Sequence, residues 1–191
     1  MSTVSNVSAA KPQTGGAIYI APFGTTAPTD ATTALSSTFK SLGYVSEDGL
    51  VNATEMEVES IKAWGGDTVL ITQTSKEDTF SFTLIEILNE DVLKLIYGAA
   101  NVSGTLTNGF TVKANSKDLD DWVLVIDMIL RGGVLKRIVI PQCKVTEVGE
   151  INYIDNDAVG YETTVTCQPD AQENTHYEYI QAGSSGATGT T

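Results

Sequence analysis

The chain has 191 residues, 24 of them acidic and 11 basic, and its formal net charge of −13 argues against a protein drawn to nucleic acid or to an anionic membrane. A hydrophobic content of 41% excludes a disordered chain, and the length indicates one domain, or one domain with arms. A globule of this size buries roughly 70% of its unfolded surface, so it needs neither a disulfide nor a metal in order to fold.

No targeting or membrane-spanning segment is predicted. The first fourteen residues are small and polar and lack the apolar stretch of a signal peptide. The longest strongly apolar run, Trp122 to Ile126, is far shorter than the ~20 residues that a transmembrane helix needs. We therefore expect synthesis in a cytosol, where Cys143 and Cys167 would stay reduced.

The two ends of the chain are predicted to be flexible, with one β domain between them at residues 16–181. Residues 1–15 form the predicted N-terminal arm. Residues 182–191 form a predicted disordered tail, because Gly, Ser and Thr bury too little surface to offset the entropy lost on ordering. The domain begins with predicted strands at Ala17 to Ala21 and Leu42 to Ser46, joined by a surface loop rich in Thr, Ala and Pro.

The segment from Glu47 to Gly66 is predicted to project as a loop or hairpin, with a turn at Gly65-Gly66 before a returning strand from Thr68 to Thr74. Acidic side chains alternate with other residues over 54–62, which is typical of an exposed strand with one acidic face. One interpretation is a solvated hairpin. The other is an arm that docks on a neighbouring subunit, since interfaces favour aromatic and apolar anchors. The candidate contact residues are Glu55, Glu57, Glu59, Ile61 and Trp64.

One short helix is predicted from Asn89 to Gly98, after a strand from Thr79 to Ile87. Asn89 can cap the helix, two acidic residues follow in the first turn where the dipole favours anions, and Gly98 can close the end. A helix of about nine residues is not stable alone, so we expect it to pack on a sheet.

A strong hairpin is predicted from Trp122 to Ile140, after a strand at Gly109 to Ala114. The pair Gly132-Gly133 suits a two-residue turn, which would place Ile126 opposite Val139. Both faces of the first strand are largely apolar, so we expect that strand to be covered on both sides.

A last pair of strands is predicted at Gln142 to Val148 and Tyr161 to Cys167. A symmetric loop between them would set Cys143 opposite Cys167, although register is easily shifted by one residue. Two reduced thiols on a small apolar face are the favoured interpretation, and a functional disulfide is the alternative.

No motif for catalysis, cofactor binding or metal binding is found, so no enzyme and no such residues are predicted. His176 is expected at the surface, and two Cys with one His match no zinc pattern. The run beginning at Asp155 starts like a calcium loop, but Thr166 stands where the bidentate Glu belongs. Residues 118–121 are expected to form a solvated acidic loop that protects a sheet edge.

Four segments follow one another in a recognisable order. They are GGAIYIAPFGT, LGYVSEDGLVNATEMEVESIKAWGGDTV, KEDTFSFTLIEILNEDVLKLIYG and GEINYIDNDAVGYETTVTCQPD. This order resembles the major tail proteins, or tail tube proteins, of long non-contractile-tailed bacteriophages of the siphophage type. The resemblance extends from about Gly15 to Ile180 and carries no catalytic signature.

The resemblance implies a mainly β, β-sandwich-like tail-tube fold with one short flanking α-helix, a long projecting loop at Glu47 to Gly66 and flexible termini. Members of the family form hexameric rings whose sheets join into a β-barrel around a lumen. The rings stack through the long loop and the terminal arms. The implied function is that of a structural virion protein, made in the host cytoplasm and placed in the phage tail.

The implied partners are other copies of the chain and, in the family, the tail terminator, tape measure and distal tail proteins. Double-stranded DNA would pass through the tube on ejection without specific binding, because an acidic wall repels phosphates. No cofactor and no membrane partner are implied. A closed ring would also remove the unpaired strand edges that are a liability in open sheets.

Three alternatives stay open at this point. The first is another self-assembling β protein, such as a capsid decoration protein or a fibre subunit. The second is a carbohydrate- or calcium-binding β-sandwich module, which an aromatic content of only 7% does not favour. The third is an enzyme, for which no nucleophile, base or metal constellation is visible.

Overall fold

The computed structural model describes residues 2–13 and 16–183. Residues 184–191 of the predicted tail, and residues 1, 14 and 15 of the predicted N-terminal arm, lie outside the described residues. The strands are β1 (Lys11–Pro12), β2 (Ile18–Pro22), β3 (Lys40–Ser41), β4 (Val45–Lys62), β5 (Thr68–Leu84), β6 (Val102–Thr105), β7 (Gly109–Val112), β8 (Trp122–Ile129), β9 (Val134–Val148), β10 (Tyr161–Cys167) and β11 (Tyr177–Ala182), and the α-helix is α1 (Glu90–Tyr97).

A nine-stranded antiparallel sheet dominates the fold. Its order is β3-β2-β8-β9-β10-β5-β4, with β1 paired to β8 and β11 paired to β9, while β6 and β7 form a separate hairpin. Strands account for 49% of the residues and helices for 9%. The predicted fold class, mainly β with one short flanking α-helix, is confirmed.

The main core lies between one face of this sheet and helix α1. The helix begins after Asn89, whose side chain accepts a hydrogen bond from the backbone N–H of Asp91 at 3.0 Å. It ends where the N–H of Gly98 donates to the carbonyl of Lys94 at 2.9 Å. Local caps thus set both ends, as the sequence predicts. The apolar stripe buried against the sheet is Val92, Leu93, Leu95 and Ile96.

A second, smaller core lies on the opposite face of β8. Val123 and Val125 point to this side and pack with Phe39 and Val139, and the loop 23–39 supplies the cover. Every residue from 122 to 127 is buried. The expectation that this strand is covered on both faces is confirmed, and the second cover comes from the chain itself.

A buried ion pair ties the loop 23–39 to the sheet. The guanidinium of Arg137 donates to both carboxylate oxygens of Asp127, at 2.6 and 2.9 Å. Its remaining nitrogen donates to the main-chain carbonyls of Asp30 and Thr33, at 3.1 and 2.7 Å. A planar guanidinium suits such multiple contacts, and each donor satisfies an acceptor that burial would otherwise leave unpaired. We call this group of contacts the arginine clamp.

The predicted register of the β8–β9 hairpin is wrong by one residue. Ile126 lies opposite Ile138, not Val139. The reason is the turn, which uses three residues, Arg131–Gly133, in a 3₁₀ conformation and closes with a hydrogen bond from the N–H of Leu130 to the carbonyl of Val134 at 2.7 Å. A glycine pair fits such a three-residue turn as well as the two-residue turn that was expected.

Strand β9 continues through Pro141, so the segment predicted to end at Ile140 and the strand predicted to begin at Gln142 are one strand. The register of β9 against β8 shifts between Ile140 and Cys143, so Pro141 lies at an irregularity where a missing N–H costs no ladder bond. Beyond it, Cys143 lies opposite Cys167 of β10, as the sequence predicts.

Short strands pair with the large sheet near both ends of the described chain. Lys11 and Pro12 of the predicted flexible arm pair with Ile129 and Met128 of β8. Strand β11 was not predicted, and it carries Ala182, the first residue of the predicted tail, into the sheet opposite Val134. Pairing with β8 and β9 gives the backbone N–H and C=O groups of these short segments their hydrogen-bond partners.

Candidate functional site: a projecting hairpin

Strands β4 and β5 extend far beyond the rest of the sheet. All residues from 51 to 77 are exposed, and we call this segment the projecting arm. Its backbone is paired within the hairpin from Val51 opposite Ser81 to Lys62 opposite Thr68. An isolated two-stranded hairpin is only marginally stable in water, because it has no second layer on which to pack. The arm is therefore a structure that lacks a packing partner within the described chain.

One face of the arm carries the predicted acidic candidates. Glu55, Glu57 and Glu59 alternate along β4 and so lie on one face, and Ile61 follows at the same spacing. Glu77 lies directly opposite Glu55, which places like charges side by side. The hydroxyl of Ser75 donates to the carboxylate of Glu57 at 3.1 Å. The structure thus brings four of the five candidates together on one surface.

The opposite face of the arm is less charged and more apolar. Met56 and Val58 lie on it, and both side chains are about 60% exposed. Ile71, paired with Ser60, extends the same face along β5 and is 65% exposed. The arm therefore exposes a run of aliphatic side chains that a soluble monomer would normally bury.

Trp64 occupies the tip of the arm and is fully exposed. The tip is closed by hydrogen bonds from the N–H of Ala63 to the carbonyl of Asp67, at 2.7 Å, and from the N–H of Gly66 to the carbonyl of Ala63, at 3.0 Å. Gly65 and Gly66 have φ of 121° and 102°, values that other residues rarely adopt, so this turn depends on glycine as predicted.

A buried carboxylate marks the root of the arm. Asp78 is completely buried and accepts hydrogen bonds from the hydroxyls of Thr54 and Thr175. The Lys76 ammonium lies 3.2 Å away, and the Nδ1 atom of His176 lies at 3.9 Å. Burial by itself would raise the pKa of Asp78, but these hydrogen bonds, with the Lys76 charge, outweigh it and hold the pKa below its ordinary value.

Sequence reasoning missed Asp78, although a signal was present. Asp78 precedes Phe80 and Phe82 at spacings of two, so it shares their inward face. An acidic residue at an inward position of an alternating strand predicts a buried carboxylate that needs donors. His176, expected at the surface, is half-buried beside this carboxylate and packs edge-to-face on Phe80 with ring centroids 5.4 Å apart.

Cys143 and Cys167 lie opposite each other on neighbouring strands as free thiols. Both thiols are free and buried, and burial raises the pKa of Cys167 to about 12 and that of Cys143 further still. A thiol is a poor nucleophile and a poor metal ligand when its pKa is raised so far. Within the described residues, no group of three or more His, Cys, Asp or Glu side chains is placed to hold a metal ion.

The acidic loop before β8 is only partly solvated. Asp120 accepts a hydrogen bond from the backbone N–H of Ala99 at 3.0 Å, and Asp121 accepts one from the Gln142 amide at 2.8 Å. These contacts fasten the loop to its neighbours, while the side chains of Asp118 and Asp120 stay exposed to solvent. Across residues 2–13 and 16–183, no helix has the length and apolar character needed to cross a membrane.

Comparison with known proteins identifies the family to which this chain belongs. A search of curated proteins finds no match. A family model described as "Phage tail tube protein" matches residues 5–189, which is nearly the whole chain. The chain therefore belongs to the phage tail tube protein family, and it is a structural protein of the virion tail.

Proposed function

We propose that copies of this chain form hexameric rings, that the rings stack into the tail tube, and that the projecting arm makes the contacts between copies. The observation that carries this proposal is the complete exposure of residues 51–77 in a well-paired hairpin. Burying an aliphatic side chain of the kind displayed by Val58, Ile61 or Ile71 contributes roughly 1.5–3 kcal/mol, from which the entropy lost on association must be subtracted, so these side chains favour a docked arm.

The two outermost strands of the large sheet support the proposal that the ring is closed. The outermost strands are the two-residue β3 and the 18-residue β4. A long edge strand offers unpaired backbone groups to any other strand, and a closed ring pairs every such edge. The number six comes from the resemblance described above, and it is part of the proposal.

The tube acts as an acidic-walled conduit for DNA during ejection into the host. The chain carries a formal net charge of −13, and a ring of six copies repeats each charge of its wall six times. Like charges repel phosphates, so DNA slides through without specific binding. No catalytic step, cofactor or membrane contact is part of this function, and the tail terminator, tape measure and distal tail proteins are the proposed neighbours of the tube.

Microscopy of the purified protein tests the proposal. High protein concentration and high salt should promote hollow tubes or six-fold rings, because salt screens the repulsion between subunits of like charge. Negative-stain images and light scattering across a salt series would show this. Trimers or extended fibres would favour a capsid decoration or fibre subunit instead. A chain that stays monomeric under all conditions would contradict the proposal.

A further inference from the structure

Cys143 and Cys167 face each other on two neighbouring strands in the middle of the large sheet. Strand β9 carries Cys143, strand β10 carries Cys167, and the register sets one directly opposite the other. In the next pair along the ladder, the N–H of Gln168 donates to the carbonyl of Gln142 at 2.9 Å. Hydrogen-bonded and non-hydrogen-bonded pairs alternate in an antiparallel ladder, so the two cysteines form a non-hydrogen-bonded pair.

A non-hydrogen-bonded pair brings its two side chains close together. Its Cα atoms are roughly 4.5 Å apart, which lies within the range of about 4.4–6.8 Å that disulfides span. The Sγ atom of Cys143 donates a weak hydrogen bond to the main-chain carbonyl of Trp122 at 3.4 Å. Rotation about the Cα–Cβ bond of Cys143 would turn this sulfur toward β10 and cost only that weak bond. The backbone therefore already has the spacing that a disulfide requires.

Burial determines how this pair of thiols can react. Both side chains belong to the main core, where Cys143 is completely buried and Cys167 is 6% exposed. A bulky disulfide reagent cannot reach them in the folded subunit, whereas hydrogen peroxide is little larger than water. The raised pKa of both thiols leaves little thiolate, which makes any oxidation slow. The thiols should therefore stay reduced during synthesis in a reducing environment and oxidise only on long exposure to a peroxide.

We propose that Cys143 and Cys167 form a disulfide after the subunit has folded, with a peroxide as the oxidant, and that this bond locks β9 to β10 in the virion. The Cys167 thiolate attacks one peroxide oxygen, so that an S–O bond forms, the O–O bond breaks and hydroxide leaves. The Cys143 thiolate then attacks the Cys167 sulfur, so that the S–S bond forms and the S–O bond breaks with loss of a second hydroxide. The two thiol protons convert both hydroxides to water.

The bond would join two strands that are connected only by a long stretch of chain. Residues 144–166 lie between the two cysteines and include the loop 149–160. A disulfide that closes such a loop restricts the unfolded chain and so stabilises the folded one. Strands β9 and β10 also link β8 to β5 in the order of the sheet. The lock would thus hold the two halves of the sheet together, whatever the number of copies in a ring.

Peptide mapping of the full chain tests for the bond. Purified, folded protein is incubated with hydrogen peroxide, catalase removes the excess, and free thiols are alkylated under denaturing conditions. Trypsin cleaves after Lys144, which places Cys143 and Cys167 in different fragments. These two fragments should stay joined until a reductant is added. Cysteines that remain free after long exposure, or that are oxidised singly without a link, would overturn the proposal.

Thermal unfolding tests whether the bond acts as a lock. The oxidised chain should unfold at a temperature higher by about 5 °C or more than the reduced chain, and a reductant should remove the difference. The matched control, Cys143→Ala, cannot form the bond, so peroxide should not raise its unfolding temperature.

Each result bears on a separate claim. A linked chain with an unchanged or lower unfolding temperature would overturn the lock, and so would an equal rise in Cys143→Ala. If Cys143→Ala does not fold, reversal by reductant in the wild-type chain decides the question. These measurements are made on subunits, so a chain that forms no tubes would contradict the proposed function and leave the disulfide result as it stands.

Discussion

Trp64 is the side chain at which folding and assembly should separate most clearly. Trp64 lies at the tip of the arm, where its side chain is fully exposed. Trp64→Ala should therefore change the free energy of unfolding by less than about 0.5 kcal/mol. If the tip is an interface anchor, the same change should weaken assembly by ~2 kcal/mol, a roughly thirtyfold higher critical concentration. Leu106→Ala, at another exposed apolar residue, is the matched control. Lost subunit stability with unchanged assembly would contradict this prediction.

Asp78 should contribute to stability because it is buried with its donors. Asp78→Ala would leave the hydroxyls of Thr54 and Thr175 without their acceptor, at a cost of about 1–3 kcal/mol in the free energy of unfolding. Denaturant unfolding would measure it. The control, Asp118→Ala at an exposed loop position, should cost little. Equal effects of the two substitutions would show that the root of the arm has no special role.

The contribution of Asp78 should also depend on pH. Its folded pKa lies below the ordinary value of 3.8, so the ionised form is favoured by folding. This stability is present above the unfolded pKa and is lost as the pH falls through the lower, folded pKa. The stability difference between wild type and Asp78→Ala should therefore narrow below pH 3.8. A difference that stays constant down to pH 2 would contradict the assigned ionisation.

At the scale of elements, the arm should change its dynamics on assembly. In the free subunit its amides should exchange quickly, because the hairpin has no packed layer to resist local opening. Hydrogen exchange measured on tubes should show protection across residues 51–77. Strand β8, which is buried on both faces, provides an internal control that should be protected in both states. Equal protection of the arm before and after assembly would mean that it is stable without a neighbour.

The elements that were predicted correctly are those whose signals are local. Asn89 and Gly98 fix helix α1 through caps next to them in the sequence, and Gly65-Gly66 fixes the arm tip. The β8–β9 register depended on how many residues a glycine turn uses, which a Gly-Gly pair leaves open. Strand β11 depends on a distant edge of β9 and was not predicted.

The acidic face of the projecting arm was predicted because its sequence signal is also local. Strict alternation along β4 placed Glu55, Glu57 and Glu59 on one face, because a strand has a period of two. The inward position of Asp78 indicated a buried carboxylate, but its partner Thr175, 97 residues away in the sequence, could not be identified from a local pattern.

At the scale of the whole molecule, the excess of acidic residues should keep DNA from adhering. Purified tubes should fail to retain double-stranded DNA at ~150 mM salt, where proteins with basic grooves still bind. At this salt concentration charges more than ~8 Å apart are largely screened, so binding would require direct contact with basic groups. A filter-binding assay with a basic protein as positive control would measure it. Tight retention would reveal a basic lumen, and the passive conduit would have to be abandoned.

The arginine clamp has a consequence for how this protein can diverge. Arg137 holds the loop 23–39 by donating hydrogen bonds to the main-chain carbonyls of Asp30 and Thr33. Every residue, proline and glycine included, has a main-chain carbonyl, so this contact does not itself depend on the side chains of the loop. The turn does depend on one side chain, because the Asp30 carboxylate accepts hydrogen bonds from the backbone N–H groups and the hydroxyls of Thr32 and Thr33. We therefore expect exposed positions of the loop other than these three to accept substitution, while the buried Arg137–Asp127 pair holds the loop on the sheet.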